Sequence, residues 1–226
     1  MLARVLPFVI FLGLTFCQGQ LGEASRYWVY LAKTLVGAWL IWLVRPRVTE
    51  LKWKFSWEAG VVGVAVFGLW IGLDGLYPPT DRLLSQVGLA KVRSDAELAS
   101  QMWNPHARFG EASALAWFFI GTRLVGASIV VPPLEEVFYR SFLYRYLTRA
   151  DFQALPLGQF SPMPFLVTSA LFGLAHREWL AGILCGFAYQ GLVCWKRRLG
   201  DAMTAHAITN FLLGLWVVWK GAWQFW

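Results

Sequence analysis

The sequence predicts an all-α protein, a polytopic membrane helix bundle of about eight helices with its polar site among the C-terminal helices. Three observations lead there. Of 226 residues, 58% are hydrophobic and only 15% charged, with 14 Trp, which is more apolar surface than a soluble domain of this length can hide. The apolar residues collect into runs that approach the ~20 residues needed to cross the hydrocarbon core. The few ionisable side chains within those runs are grouped, although each costs roughly 2.5–3.5 kcal/mol at a helix centre, so their presence implies joint use.

The first run, Leu2 to about Cys17, carries one early charge, Arg4. More membrane-length segments follow at once, which favours a first transmembrane helix over a cleaved signal peptide. Phe16 is bulky where a lipoprotein cleavage site needs a small residue, so lipidation at Cys17 is not expected. Residues 27–44, 57–73 and 114–131 supply three further spans, with Lys33 inside the second and Arg123 inside the fourth. The basic loop Arg45-Pro46-Arg47 with Lys52 and Lys54 is expected in the cytoplasm, and the N-terminus with it.

Residues 74–112 form the only long polar interval. Pro78-Pro79 opens it, and Leu83, Leu84, Val87, Leu98 and Met102 are spaced for short interfacial helices. His106 stands beside Pro105 in this interval and is expected to be solvated. The C-terminal half predicts helices at 134–150, 163–176, 179–195 and 201–220, with Pro132-Pro133 read as a break before the first. Strict alternation of eight spans would put Lys196-Arg197-Arg198 outside, against the charge rule, so one element, 134–150 the candidate, need not cross. Trp216, Trp219, Trp223 and Trp226 suggest an interfacial belt. The chain divides into residues 1–112 (N-terminal helices and amphipathic loop), 113–220 (the helix bundle with the site) and 221–226 (an aromatic tail).

The formal charge of +7 sits at segment ends, which indicates anchoring and orientation, and no nucleic-acid partner. Cys17, Cys185 and Cys194 are odd in number, lie in apolar stretches and lack metal-ligand spacing, so no disulfide framework is implied.

The chemistry lies in three patterns: Glu135-Glu136-x-x-x-Arg140, Phe172-x-x-x-His176 and His206-x-x-x-Asn210. Glu136 and Arg140 are i,i+4 in the order that favours an ion pair, and Glu135 lies about 100° round the helix from Glu136, free to face a different cavity. Each of the other pairs shares one helix face. Taken singly, the first pattern also fits an exposed amphipathic helix, and an intramembrane His also fits a bond to a backbone carbonyl. Together, two carboxylates, two histidines and an amide can activate water and stabilise an oxyanion.

In this order the three patterns resemble the signature of the CPBP family, the CAAX-processing type II (Rce1-like) endopeptidases and their bacterial relatives, which include bacteriocin-immunity proteins. The resemblance covers roughly residues 113–220. It implies an intramembrane endopeptidase that hydrolyses a peptide bond of a membrane-associated protein or peptide by glutamate-activated water, with no cofactor. By the same resemblance Glu135 is the general base, His176 its partner in holding water, and His206 and Asn210 the oxyanion donors. Glu136 and Arg140 would order the catalytic helix, and Phe172 would pack beside the site. Bacterial relatives imply a multi-pass protein of the inner (cytoplasmic) membrane, and those of this size beside exosortase-type systems suggest a sorted C-terminal tail as substrate. Ser141 stands where many relatives have Gly, and Leu180 where some eukaryotic-type members have Asn.

Three alternatives stay open on the residues. Glu135, His176 and His206 could hold zinc in a metalloprotease, although no His-Glu-x-x-His helix is present. An immunity or scaffold protein could keep the fold without chemistry. A transporter or proton relay also uses intramembrane Glu and His, but no inverted repeat supports one. Lys33 and Arg123 either snorkel from helix ends or line a cavity over the site.

Overall fold

Each apolar run closes into a helix, because a backbone away from water must satisfy its N–H and C=O groups within its own segment. The computed structural model describes residues 1–20, 22–89, 91, 94, 97 and 102–226, and among these no strand occurs. In chain order the helices are α1 (Leu2–Phe16), α2 (Ser25–Val44), α3 (Trp57–Gly72), α4 (Thr80–Gln86), α5 (Pro105–Phe109), α6 (Ala114–Thr148), α7 (Pro162–Leu174), α8 (Trp179–Lys196) and α9 (Gly200–Lys220). Helices α2, α6 and α9 are long and apolar enough to cross a membrane, and α1, α3 and α7 are shorter apolar helices. The short α4 and α5 fall in the polar interval, as its amphipathic spacing predicts. Leu98 lies outside the described residues.

The main departure from the sequence reading is α6. Pro132-Pro133 does not break the chain, and the two helices expected at 114–131 and 134–150 are one element of 35 residues. Two wide turns explain this. Residues Gly126–Val130 and Val137–Leu143 are π-helical, and the Val131 N–H reaches back five residues to the Gly126 carbonyl. A π turn has room for a proline ring, and a proline has no N–H to leave unpaired beside it.

This single helix also resolves the charge conflict. Seven long helices now alternate in direction, and side-chain bonds tie their ends into two groups. At one end Arg4 of α1 meets Glu50 of the α2–α3 loop at 2.7 Å, and Arg145 of α6 meets the same carboxylate at 3.2 Å. Lys196 of α8 meets Glu58 of α3 at 2.8 Å, and Asp201 of α9 takes a hydrogen bond from the α3 cap Ser56. Arg45, Arg47, Lys52, Lys54, Arg149 and Lys196-Arg197-Arg198 therefore share one end of the bundle. The opposite end carries α4, α5 and the α7–α8 turn, joined where Thr80 donates to the carbonyls of His176 and Arg177.

Helices α7 and α8 form a hairpin in backbone contact. A Cβ on Gly173 would stand 2.4 Å from the Ile183 nitrogen and 2.6 Å from the Trp179 carbonyl. Small residues are what allow such an approach between membrane helices. Gly173→Ala must push the hairpin apart and is expected to cost about 1–3 kcal/mol, the range for overpacking, read as a lowered unfolding temperature in detergent. An unchanged melting temperature would mean that the hairpin contact is loose.

Candidate active site

The site is built where α6, α7, α8 and α9 meet. Glu136 is completely buried and turns inward, with its Oε2 3.2 Å from Arg140 Nε and its Oε1 3.0 Å from His206 Nδ1. The Arg140 guanidinium lies 4.2 Å from the Phe172 ring centre, so Phe172 holds the arginine by a cation–π contact. Arg140, Glu136 and His206 thus form a buried chain across α6 and α9.

Glu135, one residue earlier, turns toward a cavity of about 230 Å³. His176, His206 and Asn210 line the same cavity, as do Phe172 and Tyr189. Across it, Glu135 Oε2 faces His206 Nε2 at 4.0 Å and makes no hydrogen bond to the described residues. Glu136 fixes the other imidazole nitrogen, so the His206 ring is oriented with Nε2 toward Glu135. Tyr189 stacks on that ring at 5.2 Å, and its hydroxyl donates to Thr209 Oγ1 at 2.7 Å.

His176 differs from its expected placement. Helix α7 ends at Leu174, two residues before it, so Phe172 and His176 do not complete a helical i,i+4 pair. The His176 amide turns to the Gly173 carbonyl, which leaves the Phe172 carbonyl free at the helix end. The His176 side chain meets that carbonyl, with Nδ1 at 2.7 Å. A carbonyl only accepts, so Nδ1 carries the proton and Nε2 presents its lone pair.

Asn210 is pinned by the unusual turn of α6. Val131 has given its N–H to Gly126, and Pro132 has none, so the Ala127 carbonyl lacks a partner within its helix. Asn210 Nδ2 donates to it at 2.9 Å. One amide hydrogen of Asn210 is thereby used and the second stays available in the cavity.

Several residues that the sequence left undecided belong to this cavity. Lys33 and Arg123 do not snorkel to the lipid; both line it. Trp226 also lines it, with its ring 5.5 Å from Trp103. A second cavity of about 390 Å³, between α4 and the α7–α8 turn, shares His176 and Trp226 with the first. The site therefore lies next to the end of the bundle away from the basic loops. His106, expected in solvent, is held between Trp117 at 5.1 Å and Trp223 at 5.4 Å. Ser141 hydrogen-bonds Glu50 and Arg145 and so belongs to the basic-end lock. The three cysteines are free thiols. No group of three or more His, Cys, Asp or Glu side chains is placed to hold a metal ion among the described residues.

Paired carboxylates on one helix thus share a helical bundle with His206 of α9 and with His176 just past the end of α7. Residues 113–212 match the family described as type II CAAX prenyl endopeptidase, Rce1-like. That segment is similar to the CAAX-processing membrane proteases, and the apolar helices indicate an integral membrane protein. No curated protein and no solved structure matches it.

Proposed function

We propose that the protein is an intramembrane endopeptidase in which Glu135 activates water against a peptide bond of a membrane-associated protein or peptide. The observation that carries this reading is Glu135 facing His206 Nε2 at 4.0 Å in a cavity that His176 and Asn210 also line. Glu135 takes a proton from water while the bare Nε2 of His176 accepts a hydrogen bond from the same molecule. The water oxygen bonds to the scissile carbonyl carbon and an oxyanion forms. Asn210 donates its free amide hydrogen to that oxygen, and His206 donates Nε2–H in its imidazolium form. The proton held by Glu135 then passes to the leaving nitrogen as the C–N bond breaks, giving a carboxylic acid and an amine.

The test is cleavage of a panel of membrane-anchored peptides by detergent-purified protein with chelator present. Cleavage with chelator supports a metal-independent glutamate protease. Cleavage lost to chelator and restored by zinc would replace it with the metalloprotease reading. A folded protein that binds such peptides and cleaves none would move the reading to an immunity or scaffold role.

The positive-inside rule assigns the end with Arg45, Arg47 and Lys196-Arg197-Arg198 to the cytoplasm of a bacterial inner membrane. The cavity then opens toward the outer face. In intact bacterial cells, a cysteine at exposed Glu111 is expected to react with an impermeant maleimide, and one at exposed Arg47 only after permeabilisation. The reverse pattern would invert the orientation.

A further inference from the structure

The catalytic cavity holds a charge imbalance that the hydrolytic scheme does not use. Lys33 is buried, at 5% exposure, and its Nζ donates to Thr15 Oγ1 at 3.0 Å and Gln18 Oε1 at 2.8 Å. It also sits over the rings of Phe11 and Tyr30, at 4.7 and 4.8 Å. Two of its three N–H donors are thereby occupied and one remains. The Arg123 guanidinium lies against Tyr30, Trp103 and Trp226, at 4.9, 4.7 and 5.5 Å, and makes no hydrogen bond or ion pair to the described residues. Both cations thus share one face of the cavity through the ring of Tyr30. Neither has a carboxylate within ion-pair distance, and Glu135 is the only acidic side chain among the described lining residues.

Two cations desolvated side by side are costly without an anion, and aromatic rings offset only part of that. The guanidinium in particular presents a planar fork that matches a carboxylate. The neutral hydroxyl and amide partners of Lys33 and the aromatic walls hold the cations in place without neutralising them, which keeps the position open for an incoming negative group.

We propose that Lys33 and Arg123 form a carboxylate-binding subsite, so that the preferred substrate carries a carboxylate close to the scissile bond, either its chain terminus or an Asp or Glu side chain. The inference rests on the endopeptidase reading for the word substrate, but the subsite itself is tested without turnover.

Binding is measured on Glu135→Gln protein in detergent with four short probes: acetyl-Ala-Leu-Phe as the free acid and as the amide, and acetyl-Ala-Leu-Asp-amide beside acetyl-Ala-Leu-Asn-amide. At least one carboxylate probe is expected to bind roughly 10- to 100-fold more tightly than its neutral match, the range for a hydrogen bond to a charged group. Which pair shows the difference tells a terminal carboxylate from a side-chain one. Added Lys33→Met or Arg123→Met is expected to remove that difference while binding of the neutral probe persists, and Arg123→Lys to restore part of it. Equal binding within both pairs, or a preference that survives both methionine substitutions, would overturn the subsite. Because the paired probes are compared on one protein, a misfolded variant does not decide the outcome. The two readings also fail separately. Selective binding without cleavage by wild-type protein would remove the protease and leave the subsite, whereas cleavage of acids and amides with equal KM would do the opposite.

Discussion

Glu135→Gln is expected to lower peptide hydrolysis by about 10²–10⁴-fold, the usual contribution of a positioned general base, with no loss of thermal stability. The reasoning is local. Glu135 Oε2 makes no hydrogen bond to the described residues, and the side chain is 17% exposed, so an isosteric amide removes proton transfer and little else. Glu136→Gln is the informative partner experiment. Glu136 is fully buried between Arg140 and His206, and its neutralisation leaves Arg140 without its carboxylate. That change should lower both activity and melting temperature, since breaking one side of a buried pair costs about 3–5 kcal/mol. Two adjacent glutamates would then separate into one that serves turnover and one that serves assembly. If Glu135→Gln destabilised the protein as much as Glu136→Gln while retaining hydrolysis, the assignment of the base would be wrong.

Glu50→Gln should be the most destabilising change outside the site. Arg4 grips both oxygens of Glu50, at 2.7 and 3.0 Å, and Arg145 reaches one at 3.2 Å. All three side chains are less than one-tenth exposed. The substitution strands two guanidiniums at the junction of α1, the α2–α3 loop and α6, at a cost of about 3–5 kcal/mol. Burial alone would raise the carboxyl's pKa, but hydrogen bonds from Arg4 and Ser141 outweigh it and hold Glu50 below its ordinary range. A depressed folded-state pKa stabilises at pH values above the unfolded one and is lost as pH falls through the folded one. The stability gap between wild type and variant is therefore expected in full at neutral pH and to close on acidification below about pH 4. Equal melting temperatures at pH 7 would show that the lock contributes nothing.

What could be read without coordinates follows a physical division. Apolar runs are unambiguous where lipid is the solvent, so the span at 57–73 emerges as Trp57–Gly72 and that at 201–220 as Gly200–Lys220. Ionisable residues in those runs stand out because they are expensive there, which is why Glu135, His176, His206 and Asn210 could be named. The register of α6 was not legible, because Pro132-Pro133 signals a break unless the preceding turn has already slipped to five-residue bonding. Partners fixed only by folding were equally hidden. Nothing in the spacing of Lys33 and Arg123 places them on one tyrosine ring, and nothing local to Ser141 points to Glu50, 91 residues away. His176 lines the cavity, but its spacing put it inside a helix that ends two residues earlier.

The brevity of α7 bears on how a substrate gets in. Thirteen residues rise only ~20 Å, against a hydrocarbon core of ~30 Å, and Met163, Leu166, Leu171 and Leu174 leave its outer side exposed and apolar. Hydrophobic mismatch of this kind thins a bilayer beside a short helix, here the one that carries Phe172 and ends two residues before His176. A peptide anchored in that thinned annulus needs a shorter excursion out of the hydrocarbon to meet Glu135. Turnover in bilayers of shorter-chain lipid should accordingly exceed turnover in thicker ones, with the membrane itself acting as part of the enzyme's entrance.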